Sequence, residues 1–321
     1  MSDKVKILFD LNIDGDCTNL GALAVLNVLA GQGKADILAT TACFDSPLAT
    51  GCIKSINRYY GHPDIPVGIL HRQTATHPTN FLKCVNKTFC PDHPDGEDVP
   101  DTVEIMRKAL AGEEDASVVF VVVGCLASVE ALLKSGPDDI SPLSGQELAD
   151  KKITRMVVMG GQFPIFDDKI YGENNIIVQI PAAKYAFSHW HSELVLIDHE
   201  FGIHTRTMKE FCEHGSPDHP LRMMYRILDG TDDENGHPVG PVPADGNPTW
   251  DHLAVLEAVE PGIHFDYHPY GHITVDDKGV TTWQEEAGGK HTYLLPKNGS
   301  TAAVAAYIND LIFPDWRKYA E

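Results

Sequence analysis

The run Ser117-Val-Val-Phe-Val-Val-Val123 leaves little freedom in how this chain folds. Its β-branched residues favour an extended backbone, and no position in it is polar enough to face water. Such a strand must be covered on both faces, as happens in a parallel sheet with helices packed on either side. Shorter apolar runs at 5–9, 35–41, 65–70, 155–159 and 194–197 read as further strands. Helical patterns lie between them: from Gly21 to Ala30, from Leu48 through Tyr60, after the capping residue Asp101 to Ala111, from Val129 to Lys134, and from Pro181 to His191. Glu104 stands at capping-box spacing from Asp101. This alternation predicts an α/β fold, an open and mainly parallel sheet with right-handed crossovers, flanked by helices.

Beyond Thr205 the pattern changes. Helices are expected near 208–214, 217–228 and after Pro248, and a closing helix over 301–313. Between them, Gly271 to Trp283 alternates around Asp277-Lys278-Gly279, the signature of a small late β-hairpin, with 292–295 as a strand to pair with it. Two stretches lack a sustained period, about 71–100 and 229–247. No linker, repeat or low-complexity tract divides the chain, so residues 1–321 are expected to form a single domain with these two loop insertions.

A formal charge of −21 opposes any polyphosphate backbone, which argues against nucleic acid and favours a small neutral ligand. No run approaches the roughly 18 apolar residues needed to span a bilayer, and no signal-peptide pattern precedes the first strand. A cytoplasmic protein without a membrane partner is the expectation. The seven cysteines are irregularly spaced, and Cys84-x5-Cys90 has no second pair at zinc-site spacing. They read as free thiols.

The first strand ends in a crowd of short oxygen-bearing side chains, Asp10, Asn12, Asp14 and Asp16, and the helical pattern from Gly21 follows. Ligands of open α/β sheets bind at the carboxyl ends of the strands, so this loop is the default active site. Three carboxylates so close repel one another unless a cation, a hydrogen-bond network or shifted pKa values relieve them.

At this point several short motifs resemble the inosine–uridine-preferring nucleoside hydrolases. The strand followed by Asp10-x-Asn12-x-x-x-Asp16 resembles the N-terminal signature of that family. Gly124-Cys-Leu-Ala-Ser128 resembles its Gly-Pro-Leu-Thr-Asn stretch, Val157-Val-Met-Gly-Gly161 its Met-Gly-Gly strand end, and Glu173-Asn-Asn175 its Glu-x-Asn motif. Trp250-Asp251 stands where the family has an aspartate opening a late helix. Each motif alone is weak, but together they follow the family's order over roughly residues 5–313.

The resemblance implies hydrolysis of an N-glycosidic bond by water, with Ca²⁺ holding that water and the ribose hydroxyls. It also implies a homo-oligomer. Carried over residue by residue, Asp10 and Asp251 keep their carboxylates. The expected ligand and general base is replaced by Asn12, an Asp-Asp pair by Thr18-Asn19, and a threonine carbonyl by that of Ala127. Asparagine offers oxygen without charge and takes no proton from water near neutral pH.

The expectation is therefore a divergent N-glycosidase acting on a ribosyl or related glycosyl compound, with no resident metal. Asp10 would remain, and Asp14 or Asp16 would serve as an improvised base. Asn12, Asn19, Glu173, Asn175, Trp250 and Asp251 would hold the sugar or nucleoside. Were Ca²⁺ retained, its ligands would be Asp10, Asn12, Asn19, Ala127 and Asp251. The alternative is a non-catalytic carbohydrate- or nucleoside-binding protein associated with carbohydrate metabolism. Asp14 and Asp16 also suit an Asx-turn and helix N-terminus stabilisation.

Overall fold

A computed structural model describes residues 4–13, 17–72, 81–166 and 168–320. Six strands alternate with helices through the first two thirds of the chain: β1 (Val5–Leu11), β2 (Ala35–Ala42), β3 (Val67–Ile69), β4 (Val118–Val123), β5 (Ile153–Met159) and β6 (Glu193–Ile197). They lie side by side in the order β3-β2-β1-β4-β5-β6, all parallel. The strand His291–Pro296 adds in parallel beyond β6, and the hairpin of Gly271–Val275 and Thr281–Glu285 closes that edge antiparallel. The expected sheet and late hairpin are thus present.

The β4 run explains the layering. Val119, Val121 and Val123 feed the core on one face, and Val118, Phe120 and Val122 feed the other. Strand β1 divides the same way, with Ile7, Phe9 and Leu11 on the first side and Leu8 on the second. Period-two alternation with both faces apolar is what a doubly covered strand requires. On the first face lies α1 (Thr18–Gly31), packed against the helix Asp251–Val259. The crossovers run to opposite sides of β1 and β4, which leaves a crevice at the carboxyl ends of those two strands. That is the place where such sheets bind ligands.

Two helices arise where the sequence shows no sustained period. Phe81–Phe89 lies inside the expected insertion at 71–100 and buries Phe81, Leu82 and Val85 against the first core. Gly145–Lys152 follows a polar stretch and is set by a Ser144/Glu147 capping box. Both are short, and flanking Pro, His and Asp residues mask their periodicity. At Asp101 the carboxylate does cap its helix, accepting from the Val103 N–H at 2.9 Å. No described helix is long and apolar enough to cross a membrane.

Candidate functional site

At the crevice, residues from five separate segments converge on one cleft. Asn12 follows β1, Thr18 opens α1, Val123 ends β4 and Met159 ends β5. Glu173 caps the short helix Asn174–Ile177 after β5, which Asn174 and Asn175 open, His199 opens the short helix His199–Ile203 after β6, and Trp250 and Asp251 come from the start of the late helix. The cleft encloses about 100 Å³. Sites for drug-sized ligands run to roughly 300–1,000 Å³, so this one suits a smaller group.

Side-chain amides make the floor. Asn19 Nδ2 donates to Asn12 Oδ1 at 2.8 Å, Asn12 Nδ2 donates to Asn175 Oδ1 at 3.3 Å, and Asn175 Nδ2 donates to the Met159 carbonyl at 3.1 Å. Three amides thus form a chain running in one direction beneath the cleft. Beside it, Thr18 Oγ1 donates to Asp251 Oδ2 at 2.6 Å. Glu173 is buried with each oxygen held by a backbone N–H, Oε1 by that of Asn175 at 2.9 Å and Oε2 by that of Gly161 at 3.3 Å. Gly161 can aim its N–H there because it takes a φ of +88°, open to glycine at little cost. Burial pushes the Glu173 carboxyl up to about 7, with the nearby Asp198 adding to the rise and the N–H donors opposing it.

Asp10 lies under this floor. It is fully buried, does not line the cleft, and accepts from Thr41 Oγ1 at 2.7 Å. Burial lifts its carboxyl to about 8, with the Thr41 and Ser128 hydroxyls pulling the other way. Its second oxygen has no hydrogen-bond partner of good geometry. Any part Asp10 plays therefore runs through support of the floor rather than contact with a ligand. Asn19 is likewise buried below the surface of the cleft, joined to it through Asn12. Asp14 and Asp16 fall outside the described residues.

The wall is aromatic. Trp250 and His199 stack at 5.4 Å between ring centroids, and the indole N–H donates to the His199 carbonyl at 2.8 Å. Burial lowers the His199 pKa, favouring the neutral imidazole. Gly202 makes this wall possible, since a Cβ there would sit 1.8 Å from Trp250 Cδ1. Gly202→Ala should therefore displace the indole, with a stability loss of about 1–3 kcal/mol measured by urea denaturation. An unchanged midpoint and an unchanged tryptophan emission spectrum would contradict this packing. Of the nearby aromatics, Phe166 stands outside the cleft against His204, whereas Phe163 is buried under Tyr293.

Among the described residues, the donor set does not fit the calcium that the resemblance implies. A hard divalent cation takes 6–8 oxygens and favours carboxylates. Here Asn12 Oδ1 and Asn175 Oδ1 already accept amide hydrogens, and amide N–H groups occupy the floor between them. One retained carboxyl, Asp10, accepts from Thr41, and the other, Asp251, is engaged by Thr18. Ala127 opens the helix Ala127–Leu133 and packs with Cys43, Phe44 and Cys125. Among the described residues no three His, Cys, Asp or Glu side chains are grouped to hold a metal ion.

Sequence reasoning gave little weight to His199, an isolated loop histidine, and none to Asp198. The signal for Asp198 was its position directly after the apolar β6 run. It is fully buried, caps the turn His199–Ile203 by accepting from Glu200 N at 2.6 Å and Phe201 N at 3.2 Å, and also accepts from Phe163 N. Burial lifts it to about 7. It therefore fixes His199 in the wall.

Fold and site together define a small polar cleft at the carboxyl ends of the central parallel strands. The model of the inosine-uridine preferring nucleoside hydrolases matches residues 11–309, and the chain belongs to that family. Among solved structures, the purine-preferring ribonucleoside hydrolase from Gardnerella vaginalis superposes with a TM-score of 0.67 at 19% identity, covering 98% of this chain and 100% of that one. The inosine-uridine preferring nucleoside hydrolase from Bacillus anthracis gives 0.67 at 14%, covering 96% and 98%. The type III effector XopQ, solved with adenosine diphosphate ribose, also gives 0.67 at 14%, covering 97% and 95%. No curated protein sequence matches this chain significantly.

Proposed function

We propose that this chain binds a ribosyl or related glycosyl group in the cleft without calcium, and that it does not carry out ordinary metal-assisted nucleoside hydrolysis. The observation that carries this reading is the convergence of Asp251, Glu173 and Asn12 on one small cleft beneath Trp250. Two carboxyl groups accept from adjacent hydroxyls, an amide donates back, and an aromatic face covers the apolar side of a ring. The family and the ligand named for the XopQ structure support a ribosyl compound. Among the described residues, the family's own route to water activation is missing. Asn12 stands where the family's proton acceptor would be, and the amide chain fills the floor.

One observation favours a second reading, residual N-glycosidase activity. Glu173 lines the cleft with its carboxyl raised to about 7, so it can hold or release a proton near neutral pH. Isothermal calorimetry with ribose, run with and without EDTA, tests the first reading. Equal affinity in both is expected, and Glu173→Gln should weaken it about tenfold or more. No ribose binding at millimolar concentration would defeat it. Release of reducing sugar from a nucleoside panel, abolished in the Glu173→Gln variant, would favour the enzyme instead.

A further inference from the structure

The cleft is small, about 100 Å³, so a ligand much larger than a sugar must extend beyond it. His199 stands in the lining of the cleft. That side chain is shared between the cleft and a second, larger basin of about 480 Å³. His199 stacks on Trp250 on the cleft side and meets the edge of Tyr171 on the basin side, with ring centroids 5.7 Å apart.

The basin differs from the rest of the molecule in charge. The chain carries a net −21, yet Lys169, Arg206 and His204 line this hollow. Its one lining carboxylate, Glu200, accepts from the backbone N–H groups of Ile165 at 3.0 Å and Phe166 at 2.6 Å. Arg206 is exposed, and no ion pair or side-chain hydrogen bond engages it among the described residues. Gln162 is 2% exposed, and its Nε2 is fixed on the Lys169 carbonyl at 2.6 Å while Oε1 has no partner. An unpaired guanidinium is a fork for phosphoryl oxygens, and a buried unpaired amide oxygen calls for a hydroxyl donor. A ligand bearing both groups would satisfy the basin.

We propose that the basin binds a phosphoryl group carried by the ligand whose glycosyl part occupies the cleft, with Arg206 as the principal contact. The class implied is a phosphorylated ribosyl compound rather than a neutral nucleoside. This rests on the glycosyl reading above, and it replaces the neutral ligand suggested by net charge alone. Local charge counts for more than net charge here: Arg206 lies in the basin itself, whereas salt screens the acidic surface beyond about 8–10 Å.

Calorimetry with ribose, ribose 5-phosphate and pyrophosphate, each on wild type and Arg206→Ala, tests it. Ribose 5-phosphate should bind wild type about tenfold or more tighter than ribose, with the gain shrinking as salt rises. Arg206→Ala should erase that gain and leave ribose affinity unchanged, and because Arg206 is exposed the fold should be unaffected. Equal affinity for the two sugars, or a gain that survives in the variant, overturns the proposal while leaving the glycosyl reading standing. Pyrophosphate binding that needs Arg206, with neither sugar bound, supports the basin but overturns the glycosyl reading. If none of the three ligands binds, both fall.

Discussion

Calcium should leave this protein's melting temperature unchanged up to millimolar concentration, and the Asn12→Asp/Asn19→Asp variant should acquire a calcium-dependent one. In the wild-type floor the Asn12 and Asn175 amide oxygens accept amide hydrogens, at 2.8 and 3.3 Å, and Asn19 Oδ1 is the one amide oxygen of the three left without a partner among the described residues. Replacing Asn12 and Asn19 by aspartate removes the donors and places two more carboxyl groups among Asp10 and Asp251. Without metal, burying them uncompensated should cost several kcal/mol. With Ca²⁺ at about a hundredfold its dissociation constant, mass action should restore about 2.7 kcal/mol. Differential scanning calorimetry with EDTA or Ca²⁺ reads both changes. A sub-micromolar calcium site in the wild type would overturn the fit argument. So would a double variant that folds yet ignores calcium.

The strands were legible because burial on both faces leaves continuous β-branched runs, and β4 is the plainest of these. The segments of the cleft were legible for a related reason: Asn12, Glu173, Asn175, Trp250 and Asp251 all stand at strand ends or helix starts, where parallel sheets gather side chains. Depth was not legible. Asp10 is the penultimate residue of β1, and only the register with Thr41 of β2 and Val122 of β4 buries it below the cleft. Amide orientation was not legible either. Whether Asn12 and Asn19 turn their oxygens to a cation or bond one another depends on Asn175, far along the chain. The basin was missed because Arg206, Lys169 and Gln162 are scattered in sequence, and overall charge pointed the other way.

Replacing His252 with leucine should stabilise the protein in acid while doing little at pH 8. His252 follows the cleft residue Asp251 but points the opposite way, into the interface with α1, where a Cβ on Gly21 would sit 2.3 Å from its Nε2. It is fully buried and neither ring nitrogen has a hydrogen-bond partner. Burial therefore holds its pKa down, from 6.5 to about 3. Below pH 6.5 the unfolded chain binds a proton that the folded chain refuses, so stability is lost as pH falls from 6.5 toward 3. At pH 4.5, about two units into that window, the loss is about 2.7 kcal/mol. Asp10, Glu173 and Asp198 act in the opposite direction: raised to about 8, 7 and 7, they stay protonated in the fold while the unfolded chain ionises, which removes stability as pH rises. In the wild type the two trends oppose each other between roughly pH 4 and 7. Leucine at 252 removes one arm, so the variant's advantage over wild type should grow by about 2–3 kcal/mol between pH 8 and pH 4.5. Urea denaturation at the two pH values measures it. A difference independent of pH would mean that the imidazole finds a partner for its proton in the fold.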